Sequence, residues 1–286
     1  MKKDQHIHII GIGGSGMSAI ARVLLQQGYC VSGSDRALNE QTRALEAMGA
    51  TVYAGHAAAQ IAGADAVITT SAVQASHVEV AAARAAGIPV YKRSDIIAEI
   101  MRGQTGIAIA GTHGKTTTTS MTAHILLKTG HDPSYIIGGV LRTTGQNAAY
   151  GQGEAFVIEA DEYDHMFLGL RPKIGVITSV EWDHPDFFPT PKSLEVAFRR
   201  FAALIPHDGH LIACADDDGA RAVALERARA GIPTTRYGIH HADAAWRAVD
   251  MRVSPQMTTF AGEREGRRLG DVRLRVPGQH NILNAV

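Results

Sequence analysis

The sequence is poor in cysteine and has no cysteine pair. Only Cys30 and Cys214 occur in 286 residues. They lie far apart and form no C-x-x-C, which excludes a disulfide framework and a cysteine-ligated metal centre. Two incidental thiols in a reducing cytosol are what remains. Excess charge of either sign is also missing, since Lys plus Arg equals Asp plus Glu at 28 each. A balanced chain carries no electrostatic footprint for nucleic acid, and no basic segment marks a membrane surface. No run of about 18 apolar residues occurs, so no bilayer-spanning helix is expected. Lys2-Lys3 before an apolar stretch imitates a signal peptide, but His6 and His8 interrupt the run, and Gly11, Gly13, Gly14 and Gly16 follow at once. The expectation is a cytoplasmic protein without nucleic-acid or membrane partners, its oligomeric state left open.

What is present is ordinary globular usage: 45% hydrophobic and 20% charged residues, which excludes disorder, collagen and a coiled coil. The length is about twice the ~150-residue prior for one domain, so two domains are expected. Residues 1–102 alternate short apolar strands (His6–Ile10, Tyr29–Gly33, Thr51–Tyr53, Ala66–Thr70, Val90-Tyr91) with helical stretches (Met17–Gln27, Gln41–Met48, Val78–Ala86). That pitch predicts a Rossmann-like parallel sheet covered on both faces. A second α/β unit is expected over 105–286, with strands at Ile107–Ala110, Phe156–Ile158, Ile174–Thr178 and His210–Ala213. An amphipathic helix in it carries Leu194, Phe198, Phe201 and Leu204 on its buried side. The final residues, from His280 on, look like the opening of a helix, so the chain is expected to be part of something longer.

Two glycine-rich loops carry the chemistry. Gly11-Ile12-Gly13-Gly14-Ser15-Gly16 fits G-x-G-x-x-G between a strand and a helix, where bare backbone approaches a diphosphate at the helix N-terminus. Asp35 ends the next strand, roughly where a dinucleotide fold places its ribose-binding acid. The second loop, Gly111-Thr112-His113-Gly114-Lys115-Thr116-Thr117, follows a buried strand and opens a helix, as a P-loop does. Backbone N–H groups there cradle phosphates, Lys115 reaches the β/γ oxygens and the Thr116 hydroxyl suits Mg²⁺. Ile109 stands where the strict pattern has its first glycine, so the loop is a shortened variant. Two further strands run into acidic ends, Glu159-Ala160-Asp161-Glu162 and Glu181-Trp182-Asp183-His184. In an open parallel sheet such ends converge on the ligand crevice. Asp216-Asp217-Asp218 reads as a turn and helix cap, His240-His241 as a surface pair, His124 as a packing residue and Glu263–Arg268 as a solvated hairpin tip.

The pairing of these two loops resembles the Mur ligases, ATP-dependent amide-bond-forming enzymes of peptidoglycan synthesis. The similar segments are HIHIIGIGGSGMSAIA (6–21), VSGSD (31–35), TSAV (70–73), GIPVYKRSDIIAEIM (87–101), GTHGKTTTTSM (111–121), EADEYD (159–164), EWDH (181–184) and PGQHNILNA (277–285). The resemblance implies a Rossmann-like UDP-sugar domain, a central P-loop ATPase-type domain and a third, C-terminal domain not represented in these residues. By the same resemblance Gly13, Gly14, Ser15, Gly16, Met17 and Ser18, with Asp35 and Ser71, hold the UDP moiety. Gly111–Thr117 with His280 and Asn281 hold ATP. Thr116, Glu159 and His184 are the magnesium ligands, and Lys115, Glu159 and His184 the catalytic set. The implied substrates are UDP-N-acetylmuramate and L-alanine, joined with release of ADP through an acyl phosphate. Arg199 and Arg200 stand where several relatives carry a carbamylated lysine, and His77-Val78-Glu79 stands where the family commonly has Asn-Pro-Glu, so no role is assigned there. Three alternatives stay open: a ligase that recycles murein tripeptide onto the same UDP-sugar, an NAD(P)-dependent oxidoreductase, and a non-catalytic module that senses UDP-sugar.

Overall fold

The computed structural model describes residues 4–70 and 72–286. In chain order the elements are β1 (His6–Ile10), α1 (Ser15–Gln26), β2 (Cys30–Asp35), α2 (Glu40–Ala47), β3 (Thr51–Ala54), β4 (Ala66–Thr69), α3 (Val78–Ala85), β5 (Val90–Lys92) and α4 (Arg93–Ile100). There follow β6 (Thr105–Ala110), α5 (Lys115–Lys128), β7 (Ser134–Leu141), β8 (Gln146–Ala149), β9 (Ala155–Glu159), β10 (Ile174–Ile177), α6 (Pro191–Ala203), β11 (His210–Cys214) and α7 (Asp218–Arg229). The last elements are β12 (Thr234–Gly238), β13 (Trp246–Val253), β14 (Thr258–Arg264), β15 (Arg267–Leu274) and α8 (Gln279–Leu283). By contact the chain forms two compact units: residues up to Gln104 with Gly130–Phe156, and Thr105–Thr129 with Val157–Val286.

In the first unit the sheet order is β3-β2-β1-β4-β5, with every pairing parallel. The order turns back at β1 and β4, which makes their carboxyl ends a switch point, the place where such sheets bind ligands. Helix α1 buries Ile20, Val23 and Leu24, as the apolar spacing predicts. Strands β7 and β8 pair antiparallel, and the ribbon packs on α1. Asn147 Nδ2 donates to Ser15 O at 3.2 Å, and the Tyr150 amide donates to Gln26 Oε1 at 2.7 Å. Helix α2 starts with a capping box in which the Asn39 side chain accepts from the Thr42 amide and the Thr42 hydroxyl accepts from the Asn39 amide.

A polar knot sits within this apolar unit. Glu79 is fully buried beside buried His8 and Ser34. Burial pushes its carboxyl up, but the Ser34 hydroxyl, the His8 imidazole and the charge of His56 outweigh that and hold it below the ordinary range.

In the second unit the strand order runs β15-β14-β13-β12-β11-β10-β6-β9. Strand β6 is parallel to β10, and β10 to β11. From β13 onward the sheet is an antiparallel meander. Strand β6 lies between β9 and β10, so the loop that follows it has an acid-tipped strand on each side. Helix α6 opens on a capping box of Thr190 and Ser193 with Pro191 in its first turn, and buries Leu194, Phe198 and Phe201. Phe167 stacks on Phe201 at 5.1 Å and meets Phe198 edge-on at 5.5 Å. Leu204 ends this helix half-buried, and Ile205 takes the buried place.

The smaller expectations divide. Asp217 caps α7 by accepting from the Ala220 amide at 2.7 Å. The chain turns between β14 and β15 at Glu265-Gly266, both at positive φ. His240 is exposed. His124 is exposed as well, on the outer side of α5, so it is not the packing residue its helical position suggests. Ser71 lies outside the described residues. No helix among the described residues is long and apolar enough to cross a membrane.

Candidate active site

The loop after β6 is built on two positions that exclude side chains. Gly111 has φ +145°, and a methyl group there would overlap Thr178 Oγ1 and lie 3.0 Å from Ser179 N. Gly114 has φ +82°, and a methyl group there would overlap Asn284 Oδ1. Gly114 precedes α5 without a side-chain cap, so the cap residue leaves the first-turn N–H groups of that helix unsatisfied. The rest of the loop is pinned to the end of β10. The Thr112 hydroxyl donates to Glu181 O at 2.8 Å and accepts from Glu181 N at 3.0 Å, and the His113 amide donates to Ser179 Oγ at 3.0 Å. His113 itself is exposed, with Nε2 3.7 Å from Glu181 Oε2.

Lys115 folds back across this loop. Its Nζ donates to Gly111 O and to Thr112 O, and lies 2.9 Å from Glu162 Oε2 and 3.0 Å from Oε1. Glu162 is 1% exposed. Burial pushes its carboxyl up, and the Lys115 ammonium pulls in the opposite direction. His184 joins the same acid, with Nε2 3.6 Å from Glu162 Oε1. One residue along the loop, the Thr116 hydroxyl donates to Glu159 Oε1 at 2.9 Å. The site therefore has two parts: Thr116 on Glu159, and Lys115 with His184 on Glu162. A hydroxyl and a carboxylate side by side are the hard oxygen donors that magnesium takes, so Thr116 and Glu159 fit that ion.

Strain collects around the acid. Asp164, His165 and His184 all have left-handed backbone, with φ of 52°, 54° and 53°. Such residues cost about 1–3 kcal/mol each and persist where the surroundings fix them. Here the Tyr163 ring lies edge-on to His184 at 5.2 Å and donates its hydroxyl to Asp186 at 2.9 Å. His165 packs edge-on to Phe187 at 4.9 Å. Arg199 pairs outward with Glu195 and Glu226, whereas Arg200 lines a cavity of about 460 Å³ with His165, Phe187, Phe188 and Lys192.

Helix α8 brings a residue to the loop that the sequence did not single out. Asn284 lies against Gly114, and the Thr118 hydroxyl is 3.4 Å from both Asn284 O and Oδ1. His280 and Asn281 contact each other at 3.1 Å, and Asn281 Nδ2 also donates to Pro277 O at 2.7 Å.

In the first unit, the loop after β1 is held by Asp35, whose Oδ2 accepts the Gly13 amide at 2.8 Å. Asn39 Nδ2 donates to Gly13 O at 3.0 Å. Gly14 precedes α1 with no side-chain cap, which again leaves a helix N-terminus open to an anion. Ser15 is exposed and Gly16 half-buried, while Met17 and Ser18 are buried, so their side chains face the core. The Arg93 guanidinium lies so close to Gly16 that any side chain at 16 would overlap it. A cation thus sits beside the open helix end.

Residues 6–105 match the description "Mur ligase family, catalytic domain", and residues 109–286 match "Mur ligase middle domain". The chain belongs to the Mur ligase family. It is 49% identical over 283 residues to the UDP-N-acetylmuramate–L-alanine ligase of Thiobacillus denitrificans, covering 99% of this chain and 60% of that protein. The enzyme of the same name from Pelotomaculum thermopropionicum is 44% identical over 286 residues, covering 100% and 61%. The chain therefore spans about 60% of the length of these curated relatives. Among solved structures, a UDP-N-acetylmuramate:L-alanyl-γ-D-glutamyl-meso-diaminopimelate ligase from Neisseria meningitides superposes with TM-score 0.88 at 30% identity, covering 99% of this chain and 91% of that one. A UDP-N-acetylmuramate–alanine ligase from Thermotoga maritima gives 0.85 at 28%, covering 98% and 63%. Asp35, at the place of a dinucleotide fold's ribose acid, is engaged by its own glycine loop.

Asn284, Asn39 and Arg93 were not singled out in the sequence, and Glu162 stood there only within an acidic strand end expected at the ligand crevice. Glu162 lies in the string EADEYD and Asn284 in HNILNA, so the signal for both was present. Which of three clustered acids turns inward, or which of three helical polar residues faces a loop, is a matter of backbone rotation that spacing alone does not encode.

Proposed function

We propose that this chain carries the sugar-nucleotide and ATP sites of an ADP-forming ligase that joins L-alanine to the carboxylate of UDP-N-acetylmuramate, in the cytoplasm, for peptidoglycan synthesis. The observation that carries the reading is Lys115, poised at an uncapped helix N-terminus between two loop carbonyls and buried Glu162. The names of the relatives at 44–49% identity support L-alanine over the tripeptide as the acceptor.

The chemistry follows from charge. A carboxylate must approach the γ-phosphate of ATP, and two anions repel. Lys115, turned from Glu162 toward the phosphate oxygens, offsets that repulsion, and the first-turn N–H groups of α5 orient the phosphates. Magnesium held by Thr116 and Glu159, with His184 as the further ligand implied by the family, would supply additional positive charge. The attack yields an acyl phosphate and ADP. The amine of L-alanine then attacks the acyl carbon and phosphate leaves, so no nucleophile on the protein is needed. In the first unit, Gly13–Ser18, Arg93 and the helix end of α1 would receive the UDP diphosphate, with Asp35 holding the loop in shape.

These 286 residues are expected to bind UDP-N-acetylmuramate and ATP without completing the ligation. A thermal-shift comparison should show stabilisation by UDP-N-acetylmuramate and none by NADPH. Lys115→Ala should weaken ATP binding by about 1.5–3 kcal/mol, roughly ten- to a hundredfold, as loss of a hydrogen-bonded charge does. Stabilisation by NADPH, or unchanged ATP affinity in Lys115→Ala followed by calorimetry, would overturn the proposal.

A further inference from the structure

We propose that His56, His77 and Glu79 in the first unit bind one divalent cation of the zinc class, through one nitrogen of each imidazole and one carboxylate oxygen, with solvent completing the set. One ligand atom from each of the three residues lies within 4.8 Å of the other two. Two histidines and a glutamate with an open fourth position are a recurrent zinc donor set, and imidazole nitrogen selects zinc, cobalt or nickel over magnesium and calcium.

Three features of the knot support this over a purely structural role. The first is the carboxylate. Glu79 is fully buried, and among the described residues its ion-pair partners are the histidines His8 at 3.5 Å and His56 at 3.6 Å, not a lysine or an arginine. A hydroxyl, an amide and weakly basic imidazoles offset only part of a buried carboxylate's charge, and a bound cation would offset the rest. Second, the surroundings already orient one imidazole and the carboxylate, while His77, whose Nδ1 accepts the Glu79 amide, would bind through Nε2 with release of its proton. The Ser34 hydroxyl donates its only proton to Glu79 Oε2 at 2.7 Å, so at 2.9 Å it must accept from His56 Nδ1. That bond places the His56 proton on Nδ1 and leaves the lone pair on Nε2, the outer hydrogen bond that metal-binding histidines use. The Ala57 amide donates to Glu79 Oε1 at 3.3 Å and holds the second carboxylate oxygen. Third, access is one-sided. His56 and His77 are half-buried with rings edge-on at 4.6 Å, while Glu79 lies beneath them, so an ion can enter from solvent without opening the fold.

The placement is informative too. Ser34 ends the run of β2 just before Asp35, His56 follows β3 and His77 caps α3 by accepting the Glu79 amide at 3.3 Å. All three stand at the carboxyl edge of the parallel sheet, the edge from which the first glycine loop also springs.

The test is calorimetric titration of the chelator-treated chain with zinc chloride, with cobalt(II) as a spectroscopic probe. The parent should bind zinc at a component with one ion per chain that His56→Asn and His77→Asn each weaken at least about tenfold. The cobalt complex should show the intense visible bands of tetrahedral coordination, lost in both variants. Both side chains are half-buried, so the variants should keep the parent's circular dichroism, and either one alone decides the question if the other misfolds. No zinc binding by the parent, or binding that neither variant weakens, would overturn the proposal.

Discussion

Replacing Gly111 by alanine tests whether the nucleotide loop owes its shape to the absence of a side chain. The backbone there is at φ +145°, which costs an L-residue about 1–3 kcal/mol. The new methyl would also overlap Thr178 Oγ1 and press on the Ser179 amide nitrogen at 3.0 Å, and crowding of this kind costs about 1–3 kcal/mol more. The sum is about 4 kcal/mol. With a urea slope near 2 kcal/mol/M, the unfolding midpoint should fall by about 2 M. The two contributions can be separated. Thr178→Ala alone removes a hydroxyl that donates to Ala110 O and His113 O, at a cost of about 1 kcal/mol. Combined with Gly111→Ala it should restore part of the lost stability, because the clash with Oγ1 disappears while the pressure on the Ser179 amide and the backbone share remain. Calorimetry on the same proteins should show ATP binding weakened in Gly111→Ala. A loss below about 1 kcal/mol, or a double variant no more stable than Gly111→Ala, would refute the reasoning.

Two pH-dependent predictions accompany it. Asp216 accepts the amides of Ile239, His240 and His241 at 2.6, 3.1 and 2.7 Å, and although burial pushes its carboxyl up, these bonds hold it below the ordinary range. Its stabilisation is therefore present above the unfolded aspartate value and lost as pH falls through the folded one. Asp216→Asn should cost about 1–2 kcal/mol near neutrality, with the gap to the parent closing in acid, as urea melts across pH would record. Glu162 has the opposite sign: its folded value is raised by burial, so the parent should lose stability relative to Glu162→Gln as pH climbs from the unfolded glutamate value through the folded one. A pH-independent difference between those two proteins would contradict the burial argument.

Much of the architecture was legible because local rules agreed with the tertiary outcome. The α1 positions Ile20, Val23 and Leu24, the strand before each glycine loop and the cap at Asp217 all follow from spacing and residue type. The ribbon β7–β8 was missed because its sequence, with Gly138, Gly139 and Gly145 and no strict alternation, has weak strand character. Strands β13 and β15 carry charged residues on many positions, and the apolar face that Ala248, Met251, Phe260, Val272 and Leu274 build with Ile282 is too sparse in sequence to stand out. At the site, Lys115, Thr116 and Glu159 were identifiable by motif. The capture of Lys115 by Glu162 was not, since a phosphate loop's own lysine is expected to point at phosphate, and the buried acid takes its place in the structure.

The division of the chain into units has a consequence for its birth on the ribosome. The backbone passes between the units three times, at Gln104, Thr129 and Phe156. Helix α1 is synthesised early, but the ribbon that packs on it emerges only after β6 and α5, which belong to the other unit. Until then one flank of a greasy helix stands bare, a stage at which nascent chains are prone to stick. A stop near Gln104 would make that stage permanent, so expressing the first hundred residues alone should give a sticky product, and grafting the 130–156 segment back should cure it.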